Sequence, residues 1–156
     1  MQKPINFTEV NPLTKKENSN IRKEISLLIK KKDFILGKEV SDFENQFSRL
    51  SKYKYAVSCG SGTDALILSL MALDLQKDDE IIVPGLTYVS TAYSVLLNKN
   101  KLVLADIDKN TGLVSIKKIK EKITKKTKAI IPVELYGQKI NLPKLKNKIG
   151  KRIHIV

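Results

Sequence analysis

The sequence predicts an α/β fold, in which a mostly parallel sheet carries helices on both faces. From Tyr53 onward, short apolar runs alternate with segments of helical periodicity. Gly, Pro and Asn residues bound these runs, as they do at the ends of strands and helices. Because parallel strands need crossover connections, this alternation favours a parallel sheet. Ligands of such a sheet bind at the carboxyl ends of its strands.

The residues before Tyr53 are predicted to be helical. Apolar side chains recur at helical spacing over about 19–31 and again over about 38–50, and Gly37 interrupts the pattern between them. We therefore predict an amino-terminal helical segment, residues 1–52, followed by an α/β domain over residues 53–156.

The α/β part is predicted to contain five strands and four helices. The predicted strands are 55–58, 80–84, 102–107, 129–135 and 152–156, and the predicted helices are 63–73, 89–97, 115–123 and 142–149. The helix 63–73 is apolar nearly all round, which predicts burial on most sides. The sequence stops within a predicted parallel strand, so we expect the chain to be an incomplete fragment of a longer domain.

The composition narrows the classes of function. The formal net charge is +13, but most of it comes from lysines spread over several predicted helices, without interleaved aromatic residues, so we expect no nucleic-acid partner. No apolar run is long enough to span a membrane, and Met1–Pro4 does not begin a signal peptide, so we expect a cytoplasmic protein without a membrane partner. Cys59 is the single cysteine, and no Cys/His cluster indicates a metal.

The turn Gly60-Ser61-Gly62-Thr63 is the most informative segment. Its glycines let the backbone approach a ligand closely, and the amide groups at the start of helix 63–73 suit a phosphate. The Thr63 hydroxyl adds a donor. The alternative is an ordinary turn in which Ser61 or Thr63 only caps the helix. These residues alone support both interpretations equally.

The same turn matches the G-x-G-x-x-A pattern, so a Rossmann dinucleotide-binding domain is a rival hypothesis. That fold requires an acidic residue at the end of the second strand to hold the ribose. Here the strand 80–84 ends in Pro84, and the acidic residues Asp78, Asp79 and Glu80 lie at its other end. The Rossmann interpretation therefore loses its specific support. The P-loop pattern is not matched either, because no Gly-Lys-Ser/Thr follows at the required spacing.

A set of motifs in order resembles the DegT/DnrJ/StrS family of sugar aminotransferases, a branch of the fold-type I pyridoxal phosphate (PLP) enzymes. The motifs are Phe34-Ile35-Leu36-Gly37, Ala56-Val57-Ser58, Gly60-Ser61-Gly62-Thr63-Asp64-Ala65-Leu66, Asp79-Glu80-Ile81-Ile82-Val83-Pro84, Thr87-Tyr88-Val89-Ser90-Thr91-Ala92, Ala105-Asp106-Ile107-Asp108, Thr127-Lys128-Ala129-Ile130-Ile131-Pro132-Val133 and Leu135-Tyr136-Gly137-Gln138. Glu134 stands where the family commonly has a histidine, and we assign it no role.

The resemblance implies a truncated large domain of the PLP-dependent transferase type. It implies that Ser61, Gly62 and Thr63 bind the PLP phosphate and that Tyr88 stacks on the cofactor ring. It also implies an acidic partner for the pyridine nitrogen and a Schiff-base lysine. Neither is found in the matching motifs, so we assign no catalytic residue and predict that this chain alone is inactive.

The function implied by the resemblance is transfer of an amino group, usually from L-glutamate, to a keto sugar linked to a nucleotide diphosphate. Such enzymes serve amino-sugar or polysaccharide biosynthesis, and the full-length protein is expected to be a homodimer. The alternative from another class is a noncatalytic PLP-fold regulator or sensor, which keeps the phosphate site and performs no chemistry.

Overall fold

The computed structural model describes residues 13–156, which form two compact units, one ending at Ser58 and the other spanning Cys59–Val156. The boundary expected from the sequence, between residues 52 and 53, stays a prediction. Residues 1–12 lie outside the described part of the chain, together with the amino terminus inspected for a signal peptide.

The first unit contains two helices, α1 (Lys15–Lys31) and α2 (Lys38–Ser51). Helix α1 begins about one turn before the predicted start because Thr14 and Glu17 form a reciprocal capping box at its amino terminus. After α2, the Ser58 amide donates a hydrogen bond of 2.7 Å to the Glu44 carboxylate.

The first predicted strand, 55–58, is wrong for this structure, which has no strand there. Tyr55 and Val57 are 74% and 83% exposed. A strand forms only with a hydrogen-bonded neighbour, and the sheet described within residues 13–156 contains four other strands and not this segment. The apolar pattern of 55–58 therefore does not produce a strand by itself.

The second unit is built on a parallel four-stranded sheet. Its strands are β1 (Glu80–Pro84), β2 (Lys101–Ala105), β3 (Thr127–Ile130) and β4 (His154–Ile155). They pair in the order β2-β1-β3-β4, and every pairing is parallel. Strand β1 lies inside the sheet and is buried along its whole length, as expected for a strand covered on both faces.

Helices cover both faces of this sheet, which confirms the predicted fold class. The helices are α3 (Gly62–Met71), α4 (Val89–Leu97), α5 (Ile116–Lys122) and α6 (Leu142–Ile149). Side chains alternate along β1: Ile81 and Val83 pack in one apolar cluster with residues of α3 and α4. Ile82 packs in the other cluster with residues of α5 and α6. The core therefore has two halves, one on each side of β1.

Several element ends match the sequence predictions, and others differ for local reasons. Strand 80–84 and helices 89–97 and 142–149 have the predicted bounds. Strand β3 ends earlier than predicted: Ile131 still donates its amide to Ile82, but Pro132 has no amide to continue the ladder.

Candidate functional site

A cavity of about 340 Å³ lies where β1 leads into α4. Its lining residues come from the beginnings of two helices and the residue just before the second. They are Gly62, Thr63, Leu66, Tyr88, Ser90 and Thr91. Because α3 and α4 both begin at this cavity, the positive ends of both helix dipoles lie beside it. This arrangement favours an anionic ligand.

Gly62 lines the cavity and has open space beside it. A Cβ atom placed on Gly62 would meet no other heavy atom within 4 Å. Among the hydrogen bonds of residues 13–156, the amides of Gly62 and Thr63 have no acceptor. Amides at these first helical positions have no partner within the helix. Two donors and open space therefore occur together at the start of α3.

Ser61 has a different position from the other predicted cofactor residues. It is the N-cap of α3: its hydroxyl accepts the Asp64 amide at 3.1 Å and donates to the Asp64 carboxylate at 2.9 Å. The capping interpretation of the turn thus holds for Ser61, while Gly62 and Thr63 line the cavity. Cofactor binding by Ser61 stays a prediction.

Two hydroxyl groups meet across the cavity wall. Thr63 Oγ1 lies 2.7 Å from Ser90 Oγ, and either atom can be the donor. A second pair joins Thr87 Oγ1 and Thr91 Oγ1 at 2.9 Å. Ser90 and Thr91 were not predicted from the sequence as site residues. The available signal was the cluster of hydroxyl residues around Tyr88, directly after a predicted strand.

Tyr88 presents its ring to solvent at the edge of the cavity. It is the residue just before α4, is 74% exposed and belongs to the cavity lining. An exposed tyrosine at the carboxyl end of a parallel strand can cover one face of a flat ligand. The structure thus places Gly62, Thr63 and Tyr88 around one cavity.

Glu134 is not one of the residues that line the cavity, and its partners lie in its own loop. Its carboxylate accepts the Ile140 amide at 3.1 Å and pairs with Lys139 Nζ at 2.9 Å. The hydrogen bond from Lys139, followed by that from Ile140, holds the pKa of Glu134 below its ordinary value. Glu134 therefore closes the loop that connects β3 to α6.

Residues 13–156 show neither a metal-binding cluster nor a membrane-spanning helix. This part of the chain has no group of three or more His, Cys, Asp or Glu side chains placed to hold a metal ion. None of its helices combines the length and apolar character needed to cross a membrane.

Comparisons with known proteins give the family of the chain. Residues 15–156 match the DegT/DnrJ/EryC1/StrS aminotransferase family. The UDP-2-acetamido-2-deoxy-3-oxo-D-glucuronate aminotransferase of Pseudomonas aeruginosa is 40% identical over 134 residues, which are 86% of this chain and 37% of that protein. The dTDP-3-amino-3,6-dideoxy-alpha-D-galactopyranose transaminase of Aneurinibacillus thermoaerophilus is 34% identical over 151 residues, 97% of this chain and 41% of that protein.

A solved structure shows the same relationship in three dimensions. The E coli GDP-4-keto-6-deoxy-D-mannose-3-dehydratase with bound hydrated PLP superposes with a TM-score of 0.80 and 35% identity, over 86% of this chain and 36% of that chain. The chain therefore spans about two fifths of the length of these relatives. It belongs to the DegT/DnrJ/EryC1/StrS aminotransferase family.

Proposed function

We propose that the full-length protein containing this chain is a PLP-dependent aminotransferase that transfers an amino group, typically from L-glutamate, to a nucleotide-linked keto sugar. Family membership supports this proposal, as do the names of the two relatives, which act on UDP- and dTDP-linked sugars. The observation that carries it is the single cavity shared by Gly62, Thr63 and Tyr88.

The residues of the cavity fit PLP. Its phosphate needs several donors in one place, and the two amides of Gly62 and Thr63 and the Thr63 hydroxyl supply them. The open space at Gly62 lets the phosphate approach the backbone. The exposed Tyr88 ring supplies a flat surface for the pyridine ring. The volume of about 340 Å³ lies within the range of small-ligand sites.

The chain's residues bind and orient the cofactor. When bound, PLP supplies an electron sink for the carbon that loses its proton. Gly62 and Thr63 would hold the phosphate end, and Tyr88 would cover one face of the ring. None of the six lining residues is a lysine or a carboxylate. The relatives are longer than this chain. We propose that the Schiff-base lysine and the acidic partner lie in a part of the full-length protein that corresponds to this additional length.

We also propose that the full-length protein is a cytoplasmic homodimer. Support for an assembly comes from α3 and α4, which expose large apolar side chains at Leu68, Met71, Tyr93 and Leu96. Exposed apolar side chains on two helices that contact each other are typical of an interface. Light scattering of the full-length protein at several concentrations tests the proposed homodimer, and a monomer at every concentration would contradict it.

The decisive experiment is turnover by the full-length protein. Purified protein is incubated with PLP, L-glutamate and UDP-, dTDP- or GDP-linked keto sugars, and both 2-oxoglutarate and the sugar product are followed by mass spectrometry. We expect 2-oxoglutarate in proportion to an amino sugar. Retained PLP without any product would instead support a noncatalytic regulator, and failure to retain PLP would overturn the proposal.

A second candidate is the removal of a sugar hydroxyl group, supported by the likeness to the E coli 3-dehydratase. The same incubation separates the two reactions, because a dehydratase product loses oxygen without gaining nitrogen.

The 156-residue chain by itself is expected not to catalyse the reaction. The test is to mix it with PLP, reduce with borohydride and map modified lysines by peptide mass spectrometry. We expect that no single lysine is labelled selectively. A single, reproducibly labelled lysine would contradict the prediction.

A further inference from the structure

We infer that Ser90 is a positioning residue for the cofactor phosphate, because it directs the proton of the Thr63 hydroxyl toward the cavity. This inference depends on the proposed PLP site. Ser90 lies in the first turn of α4, Thr63 lies in the first turn of α3, and their oxygen atoms are 2.7 Å apart. Both residues line the cavity, and Ser90 is only 9% exposed.

The direction of this hydrogen bond decides what Thr63 offers to a ligand. Each hydroxyl has one proton to donate and can accept two hydrogen bonds. If Thr63 donates to Ser90, Thr63 offers only lone pairs to an anion. If Ser90 donates to Thr63, the Thr63 proton is available to the phosphate. A phosphate held by the amides of Gly62 and Thr63 would lie beside Thr63 and would favour the second arrangement, in which the two bonds in series strengthen each other.

Ser94 shows that Ser90 does not follow the usual behaviour of a helical serine. A serine within a helix commonly donates to a carbonyl of the preceding turn. Ser94, one turn further along α4, does so by donating to the Thr91 carbonyl at 2.9 Å. The hydroxyl of Ser90 instead pairs with a side chain on another helix. Ser94 is fully buried and lies outside the cavity lining, so it provides a matched control.

The test measures the dissociation constants of PLP and of pyridoxal, which has no phosphate, for the full-length protein. We expect Ser90→Ala to weaken PLP binding about 3- to 10-fold, the effect of losing one hydrogen bond between neutral groups. Pyridoxal binding should not change. Ser94→Ala should alter neither constant, although both variants lose a buried hydroxyl and are compared by thermal unfolding.

A double-mutant cycle tests whether Ser90 acts through Thr63. Thr63→Val removes the hydroxyl with little change in shape. In that background, Ser90→Ala should have no further effect on PLP binding if Ser90 acts through Thr63 and does not contact the phosphate itself. Additive losses would overturn the inference. Ser90→Thr, which keeps the hydroxyl, should restore PLP binding.

Each outcome has a distinct meaning. If the unmodified protein does not bind PLP, the proposed function fails and this inference fails with it. If the protein binds PLP but Ser90→Ala behaves as Ser94→Ala does, only the role of Ser90 is overturned. If Ser90→Ala does not fold, Ser90→Cys, which keeps a weaker donor of similar size, gives the same comparison.

Discussion

The two ends of β1 use polar groups in opposite ways. At its amino end, Glu80 is 5% exposed, and its carboxylate accepts hydrogen bonds from the hydroxyls of Thr124 and Thr127. The same carboxylate pairs with Lys101 Nζ at 2.9 Å. Every polar group of this cluster has a partner within the protein. These contacts join β1 to β2 through Lys101, and β1 to the segment that enters β3 through Thr124 and Thr127.

At the carboxyl end of β1, the polar groups remain available. The hydroxyls of Thr63 and Ser90 bond to each other and still line an open cavity, and the amide of Gly62 has no acceptor among residues 13–156. Polar groups with partners inside the protein stabilise the fold, whereas polar groups left open at the ligand-binding edge are available for binding. Substitutions at the amino end of β1 should therefore alter folding stability, and substitutions at its carboxyl end should alter the affinity for PLP.

The largest expected effect is that of Glu80→Ala. It leaves the hydroxyls of Thr124 and Thr127 without their acceptor, so we expect a loss of about 2 kcal/mol in the free energy of unfolding. Urea denaturation of the 156-residue chain measures it. The control is Glu121→Ala, which removes an exposed carboxylate paired with Lys118 and should change stability far less. Equal losses of stability in the two variants would contradict the role assigned to Glu80.

The next largest effect is that of Gly62→Ala on cofactor binding. The added methyl group meets no protein atom, but it enters the space proposed for the phosphate, so we expect PLP affinity to fall at least about tenfold. Stability should stay the same or rise, because alanine favours a helix more than glycine does. In the control Gly85→Ala, the new Cβ makes an ordinary 3.6 Å contact with the Ala105 carbonyl. Unchanged PLP binding by Gly62→Ala would contradict the proposed phosphate site at Gly62.

A smaller effect is expected from Tyr88→Leu. The ring is largely exposed, so its loss should cost little stability, while the lost stacking should weaken PLP binding about fivefold. Fluorescence titration with PLP measures this change. Tyr53→Leu, at a tyrosine that is 75% exposed and lies outside the cavity lining, should leave PLP affinity unchanged. A similar loss in both variants would show that Tyr88 does not contact the cofactor.

The smallest expected effect concerns the dependence of folding stability on pH. The Thr124 hydrogen bond, followed by Lys101, holds the pKa of Glu80 below its ordinary value. A carboxylate with a lowered pKa in the folded state stabilises the protein at pH above its unfolded value of about 4.3 and loses this contribution as pH falls through the folded value. Stability of the native chain should therefore fall below about pH 4.3 more steeply than that of Glu80→Gln. Parallel curves would contradict this linkage.

The sequence predicted much of the fold because its signals are local. The apolar run of β1 and the periodicity of α4 and α6 gave the observed bounds of all three elements. The segment 55–58 has a similar apolar pattern and forms no strand, because strand formation depends on a pairing partner as well as on composition. Gly62 and Thr63 were identifiable because a glycine turn at a helix start is itself a local feature.

What the sequence alone determined is the alternation of strands and helices, the glycine turn, and the expectation that ligands bind at the carboxyl edge of the sheet. Only the tertiary structure decided the strand order, the pairing of Thr63 with Ser90 and the clustering of Thr124 and Thr127 around Glu80. The physical reason is distance along the chain. Periodicity and capping act over a few residues, whereas these contacts join residues brought together by packing of different elements.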